Sequence, residues 1–258
     1  MKKVMAILSM LIFVLVLNSC VVETKSETDA LLIPKMVFVK GGIIEGEDYP
    51  WAPPKGNFPK GRRVQLSDFA IGKYEVTQEE YYSVMKDEVV SVTAYVDGVG
   101  ERTAEFFMDS RPSFCKPNNP PYHCFEGENQ ERRPVEGITF YDALWYCNVL
   151  SRKTGLEPVY KIKVLEVTSV NFSSHITSAE VEMIPGANGY RLPTLCEAEY
   201  AMRGGDPNAP DWDYLFSGAD SEPGRERYSI HKGLDPVGWY QYNNKTGVSG
   251  TSDSDQEN

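Results

Sequence analysis

The chain has 258 residues, with 26 Lys+Arg against 37 Asp+Glu and a formal net charge of -11. Such an acidic surface repels phosphate backbones and argues against a nucleic-acid partner. A hydrophobic content of 41% with 12% aromatics can cover its ordering entropy by burial, which excludes a wholly disordered chain. No apolar run reaches the roughly 18 residues that would span a bilayer as a helix.

Lys2 and Lys3 precede an apolar run, Val4 to Leu17, broken only by the hydroxyl of Ser9. A positive start before a short apolar stretch is the pattern of a secretory signal. The run ends in Leu17-Asn18-Ser19-Cys20, which resembles a bacterial lipobox, where a peptidase cuts before the cysteine and its thiol carries lipid. Residues 1–19 are therefore expected to be a lipoprotein signal peptide. Residues 20–34, rich in Glu23, Lys25, Ser26, Glu27, Thr28 and Asp29, read as a solvated tether. The expectation is an exported protein of the bacterial cell envelope, held on a membrane through Cys20.

Met36-Val37-Phe38-Val39-Lys40 before Gly41-Gly42 reads as a strand entering a turn. Val64, Leu66, Phe69, Ile71 and Tyr74 sketch further strand, with the alternation slipping at Ser67-Asp68 in the manner of a hairpin or bulge. Three helix starts follow in one grammar. Thr77-Gln78-Glu79-Glu80 and Thr194-Leu195-Cys196-Glu197 each place a carboxylate three residues after a capping hydroxyl. Thr139-Phe140-Tyr141-Asp142 is a looser version, and its helix carries Phe140, Ala143, Leu144 and Cys147 at helical spacing on one face. Gly155 and Gly204-Gly205 supply stops. Residues 89–133 look like an irregular insertion, and residues 244–258, nearly devoid of apolar side chains, like a disordered tail. The pattern as a whole is α+β, short helices packed around small sheets.

Cys115 and Cys124, nine apart in an exported chain, read as a disulfide, with free thiols or a metal site shared with His123 as the alternatives. Cys147 reads as a small buried hydrophobe. Cys196 lies in the first turn of a helix, where the dipole favours thiolate, and is the one conceivable reactive thiol. No motif pairs His123, His175 or His231 with an acid. Glu75, Glu79 and Glu80 read as complements of a helix dipole. Asp206, Asp211, Asp213 and Asp220 do not have EF-hand spacing.

Several runs resemble one family, the formylglycine-generating enzyme or sulfatase-modifying factor domains. They are Met36 to Gly42; Ile71-Gly72-Lys73-Tyr74-Glu75-Val76-Thr77; Pro134 to Ala143, with Asp142, followed by Tyr146-Cys147-Asn148; Gly189-Tyr190-Arg191-Leu192-Pro193-Thr194 with Glu197, Tyr200 and Arg203-Gly204-Gly205; and Val237-Gly238-Trp239-Tyr240 with Asn243. The resemblance implies a C-type-lectin-like α+β fold over residues 35–243. It also implies oxidation of a sulfatase cysteine to Cα-formylglycine, with copper and calcium as cofactors of complete members. The departures are specific. Leu195 stands where the family usually has Glu, and Ala198 where it has Trp. After Asn243 the family's Gly-Asn-x-x-Glu-Trp and Arg-Gly-Gly-Ser motifs do not follow, nor does the redox-active cysteine pair that binds copper(I), nor most calcium ligands. The domain is thus expected to be incomplete at its C-terminus, with no catalytic or metal-binding residues and no cofactor of its own. Two function classes stand side by side: an oxidase acting on a sulfatase-type protein, inactive in this chain, and a surface ligand-binding module.

Overall fold

The computed structural model describes residues 31–47, 57–114, 129–170 and 173–212. Strand β1 (Met36–Val39) pairs antiparallel with β4 (Phe69–Gly72), and β2 (Ile43–Glu45) pairs with β3 (Arg63–Gln65). The chain therefore leaves one two-stranded sheet for the other between β3 and β4. The slip at Ser67-Asp68 is that crossing, neither a hairpin nor a bulge. The opposite crossing, from β1 to β2, runs beside it: Gly41 N–H donates to Asp68 Oδ1 at 2.8 Å, and Leu66 N–H to the Gly42 carbonyl at 2.8 Å. A Cβ at Gly41 would run into the backbone of Leu66 and Ser67, so the close approach requires glycine. Tyr74 lies past the end of β4 and is exposed.

Helices α1 (Gln78–Met85), α2 (Phe140–Lys153) and α3 (Leu195–Met202) start where the hydroxyl–carboxylate pairs place them. Each has a threonine N-cap in a complete capping box, including the Asp142 version at α2. Beyond α2 and α3 the chain turns through left-handed backbone at Gly155 (φ 75°) and Gly204 (φ 93°), conformations in which a Cβ is strained. The buried face of α2 carries Leu144, Cys147, Leu150 and Ser151. Phe140 is not on it; it is 64% exposed and meets Tyr141 edge-on at 5.8 Å, because the first turn directs Asp142 inward instead.

The first part of the segment expected to be irregular is a regular hairpin, β5 (Val89–Val96) with β6 (Gly100–Phe107). Val89, Val90, Val92, Thr93 and Val96 of β5 are β-branched, the side-chain type that suits a pleated surface. A longer hairpin joins β7 (Tyr160–Val170) to β8 (Ser173–Met183), with a bulge between Val164 and Glu166. These hairpins pack with α1 and α2 around the main core, which includes Tyr81, Val84, Met85, Val90, Leu150 and Ile176. A smaller cluster of Ile44, Phe58, Tyr200 and Trp212 joins α3 to β2 and β3.

Candidate functional site

A cleft of about 1100 Å³ opens between the main core and two extended segments. Asp68 to Val76 form one wall, Asn188 to Pro193 the other, and Tyr81, Ala143, Tyr146, Cys147 and Leu150 are on α1 and α2 between them. The second wall is laid across the end of α2 by Ser151, whose hydroxyl accepts from Tyr190 N–H at 2.8 Å. Gly189 is needed there, since a Cβ would meet the Ser151 side chain and the Glu157 carbonyl. Leu192 N–H donates to the Tyr160 hydroxyl at 3.0 Å, fixing the far end of the same wall.

The polar end of the cleft is a two-pronged ion pair. Arg191 Nη1 and Nη2 donate to Glu197 Oε2 and Oε1 at 2.8 and 2.6 Å. Glu197 Oε2 also accepts from Thr194 N–H at 2.8 Å, closing the cap of α3. Pairing with Arg191, and then the cap, hold the Glu197 carboxyl down at about 2. The floor is different in kind. Tyr81 and Tyr146 stack with ring centroids 5.3 Å apart, and burial pushes both phenols up. Neither hydroxyl has a hydrogen-bond partner among the described residues. Burial also pushes the Cys147 thiol up to about 12, so it is a protonated hydrophobe at neutral pH.

The sequence pattern of the sulfatase-modifying factor enzyme 1-like domain matches residues 22–257. The chain belongs to the sulfatase-modifying factor family. A curated relative from Paenibacillus barcinonensis, named chaperone protein LppX, is 31% identical over 210 residues, covering 81% of this chain and 54% of that protein. The chain thus spans about half the length of the curated relative it matches. Two solved structures are also similar. The crystal structure of CarF is 22% identical with a TM-score of 0.45, over 73% of this chain and 64% of that one. Treponema denticola variable protein 1 is 23% identical with a TM-score of 0.39, over 74% and 62%. The α+β architecture expected from the sequence is present, and family membership carries with it the C-type-lectin-like fold.

Most of the described family-signature residues surround the cleft. Tyr74, Glu75 and Val76 belong to the first wall; Arg191, Leu192 and Pro193 to the second; and Cys147 and Glu197 to the α2 and α3 sides. Thr77 and Thr194 cap the helices that follow the walls. Arg203 binds Glu199 Oε1 at 2.8 Å across one helical turn, and Gly204 and Gly205 end α3. Asp142 lies instead at the α2 N-terminus, fully buried. The aspartate loop places Asp206 in a turn, its Oδ1 accepting from Asn208 N–H at 2.9 Å.

Copper(I) and calcium are implied for complete family members, and the described residues offer no side-chain cluster for either. Among them no three His, Cys, Asp or Glu side chains converge on a metal position. A copper(I) centre needs paired thiolates; Cys147 belongs to the main core, whereas Cys196 borders the smaller cluster, its Sγ accepting from Arg62 Nη2 at 3.8 Å. Cys20, Cys115, Cys124, His123, His231, Asp213, Asp220, the Val237–Asn243 run and the 244–258 tail lie outside the described residues.

One constellation runs against the sequence reading, which paired no histidine with an acid. His175, on β8, presents Nδ1 to Asp142 Oδ2 at 2.7 Å and Nε2 to Asp109 Oδ2 at 3.6 Å. Asp142 Oδ1 accepts from Ile176 N–H at 2.8 Å while Oδ2 accepts from Thr139 N–H at 3.0 Å. The carboxylates of Asp109 and Asp142 hold the imidazole up at about 9, so His175 is a cation at neutral pH. No local signal could have found this, because the partners lie 33 residues apart or more.

Proposed function

We propose that the protein is a lipid-anchored lipoprotein of the bacterial envelope whose sulfatase-modifying-factor domain binds an extended polypeptide in its cleft rather than oxidising a cysteine. The observation that carries this reading is the cleft itself. It has two walls of backbone, one of them continuing from β4, an aromatic and aliphatic floor, and a polar end at Arg191–Glu197. Sites of this shape bury apolar side chains and use a few polar groups to set orientation. The Cys147 thiol within it is held protonated by burial, the wrong state for a copper ligand or nucleophile. The similarity to a relative named as a chaperone supports a polypeptide ligand. The family resemblance makes a sulfatase-type protein one candidate client, and the Lys2-Lys3 start with Leu17-Asn18-Ser19-Cys20 supports export and anchoring.

The test uses the chain from residue 20 onward, with Cys20 replaced by serine, and a fluorescent extended peptide carrying apolar side chains. Saturable binding that Ala143→Phe abolishes, at unchanged thermal stability, is expected. Absence of saturable binding by the folded protein would overturn the binding reading. Incubation with copper(I), oxygen and a Cys-x-Pro-x-Arg peptide is expected to yield no aldehyde by mass spectrometry. Aldehyde formation that depends on this protein's own cysteines would establish the oxidase reading instead. Anchoring is tested separately: a fatty-acid probe should label the full-length protein in cells but not Cys20→Ala.

A further inference from the structure

We propose that His175 is a proton-held latch, fastening the segment that follows β6 to α2, and that losing its proton loosens that segment and the pocket it walls. The geometry is a three-body clamp. Asp142 comes from the first turn of α2 and is fully buried; Asp109 comes from the chain just beyond β6; His175 stands between them with its side chain 26% exposed. An imidazolium has two N–H groups and faces both carboxylates favourably. A neutral imidazole has one. The buried Asp142 holds the remaining hydrogen at Nδ1, through the shorter contact of 2.7 Å. Nε2 then turns a lone pair toward the Asp109 carboxylate, and an attraction becomes a repulsion.

Among the described residues, these groups face the imidazole. From α2 there is Asp142, and from the segment after β6 there is Asp109. From α1 there is the Tyr81 phenol, which senses both carboxylates but is pushed up chiefly by burial. Across the hairpin, β7 presents Thr168, which does not ionise.

The fastened segment is the wall of a second cavity. Asp109 N–H donates to the Ser174 carbonyl at 2.9 Å, and Asp109 Oδ1 accepts from Arg111 N–H at 2.9 Å, so the aspartate organises the turn behind it. Ser110, Arg111 and Ser113 line a pocket of about 170 Å³ against Gln78, Gln130 and Glu131. Arg111 lies over the Tyr82 ring at 3.9 Å and pairs with Glu131 at 2.7 Å. Those contacts remain when the latch opens, so the change is a local loosening rather than unfolding.

Two side-chain signals that do not exchange with water test this by NMR: the His175 ring carbons and the methyl group of Met108, the buried residue adjoining Asp109. The wild-type ring is expected to titrate at about 9, with the Met108 methyl following the same midpoint. Met85, fully buried in the main core, should stay still as the control. Asp109→Asn should lower the His175 midpoint by at least about one unit and uncouple Met108 from it. In His175→Gln the Met108 methyl should show no step over this range. A His175 midpoint near the ordinary histidine value would overturn the proposal. So would a Met108 signal that is silent in the wild type, or that titrates alike in the wild type and Asp109→Asn. Because Asp109→Asn keeps the buried Asp142–His175 pair, the test stands even if His175→Gln fails to fold.

Discussion

The N-termini of α2 and α3 are built from the same words and differ in everything around them. Both begin with a threonine whose hydroxyl accepts from the N–H three residues on, and both return a carboxylate to the threonine N–H. At α2 the carboxylate is Asp142, fully buried, bound also by Ile176 N–H and His175. At α3 it is Glu197, 8% exposed as a residue, with the 34%-exposed Arg191 side chain as its partner. A local motif worth about 1 kcal/mol in an isolated helix has become a junction of three elements in one place and the edge of a cleft in the other. Burial sets the difference, since an uncompensated charge or polar group costs far more away from water.

The largest effect is expected where that difference is removed. Asp142→Ala leaves His175 without its buried counter-charge and two backbone N–H groups without an acceptor. The expected loss is roughly 3–5 kcal/mol, read from urea unfolding at neutral pH. A loss no greater than that of a surface cap would mean that water reaches the junction.

The two threonines sharpen the comparison at a smaller scale. Thr194→Ala should cost about 1 kcal/mol, as an ordinary cap does. Thr139→Ala should cost more, toward about 2 kcal/mol, because the Thr139 hydroxyl also donates to the Ile176 carbonyl at 2.7 Å. Equal losses in thermal unfolding would show that the contact to β8 adds nothing.

Opposite pH limbs should mark the two junctions. The raised value of about 9 at His175 gives stability that is full below 6.5, the ordinary histidine value, and is lost as pH rises through 9. The lowered value of about 2 at Glu197 gives stability present above the ordinary 4.5 and lost as pH falls through 2. Glu197→Gln should therefore flatten the acid limb alone. At neutral pH it should cost at most about 1 kcal/mol, because the pair is partly solvated. Unfolding midpoints measured across pH separate the limbs.

Tyr146→Phe is expected to have the smallest effect, between no change and a gain of about 1 kcal/mol. It removes a hydroxyl without a partner among the described residues while keeping the stack on Tyr81. A clear destabilisation would reveal a partner for that hydroxyl and would recast the cleft floor as polar.

The three helix starts, the glycine stops, the first strand and the family were legible along the chain. Each rests on groups within a few residues of one another, whose interaction the backbone enforces wherever the helix ends up packed. The walls of the cleft were also legible as signature runs, Tyr74 to Thr77 and Arg191 to Thr194. Packing in three dimensions makes these runs face each other, turns Ser67-Asp68 into a passage between two sheets, folds residues 89–107 into a hairpin and points Phe140 outward. It alone decided that His175 meets Asp142 and Asp109. Those outcomes depend on which distant segments share a core, and on which polar groups are then withdrawn from water together. Residue spacing along the chain does not encode that distance.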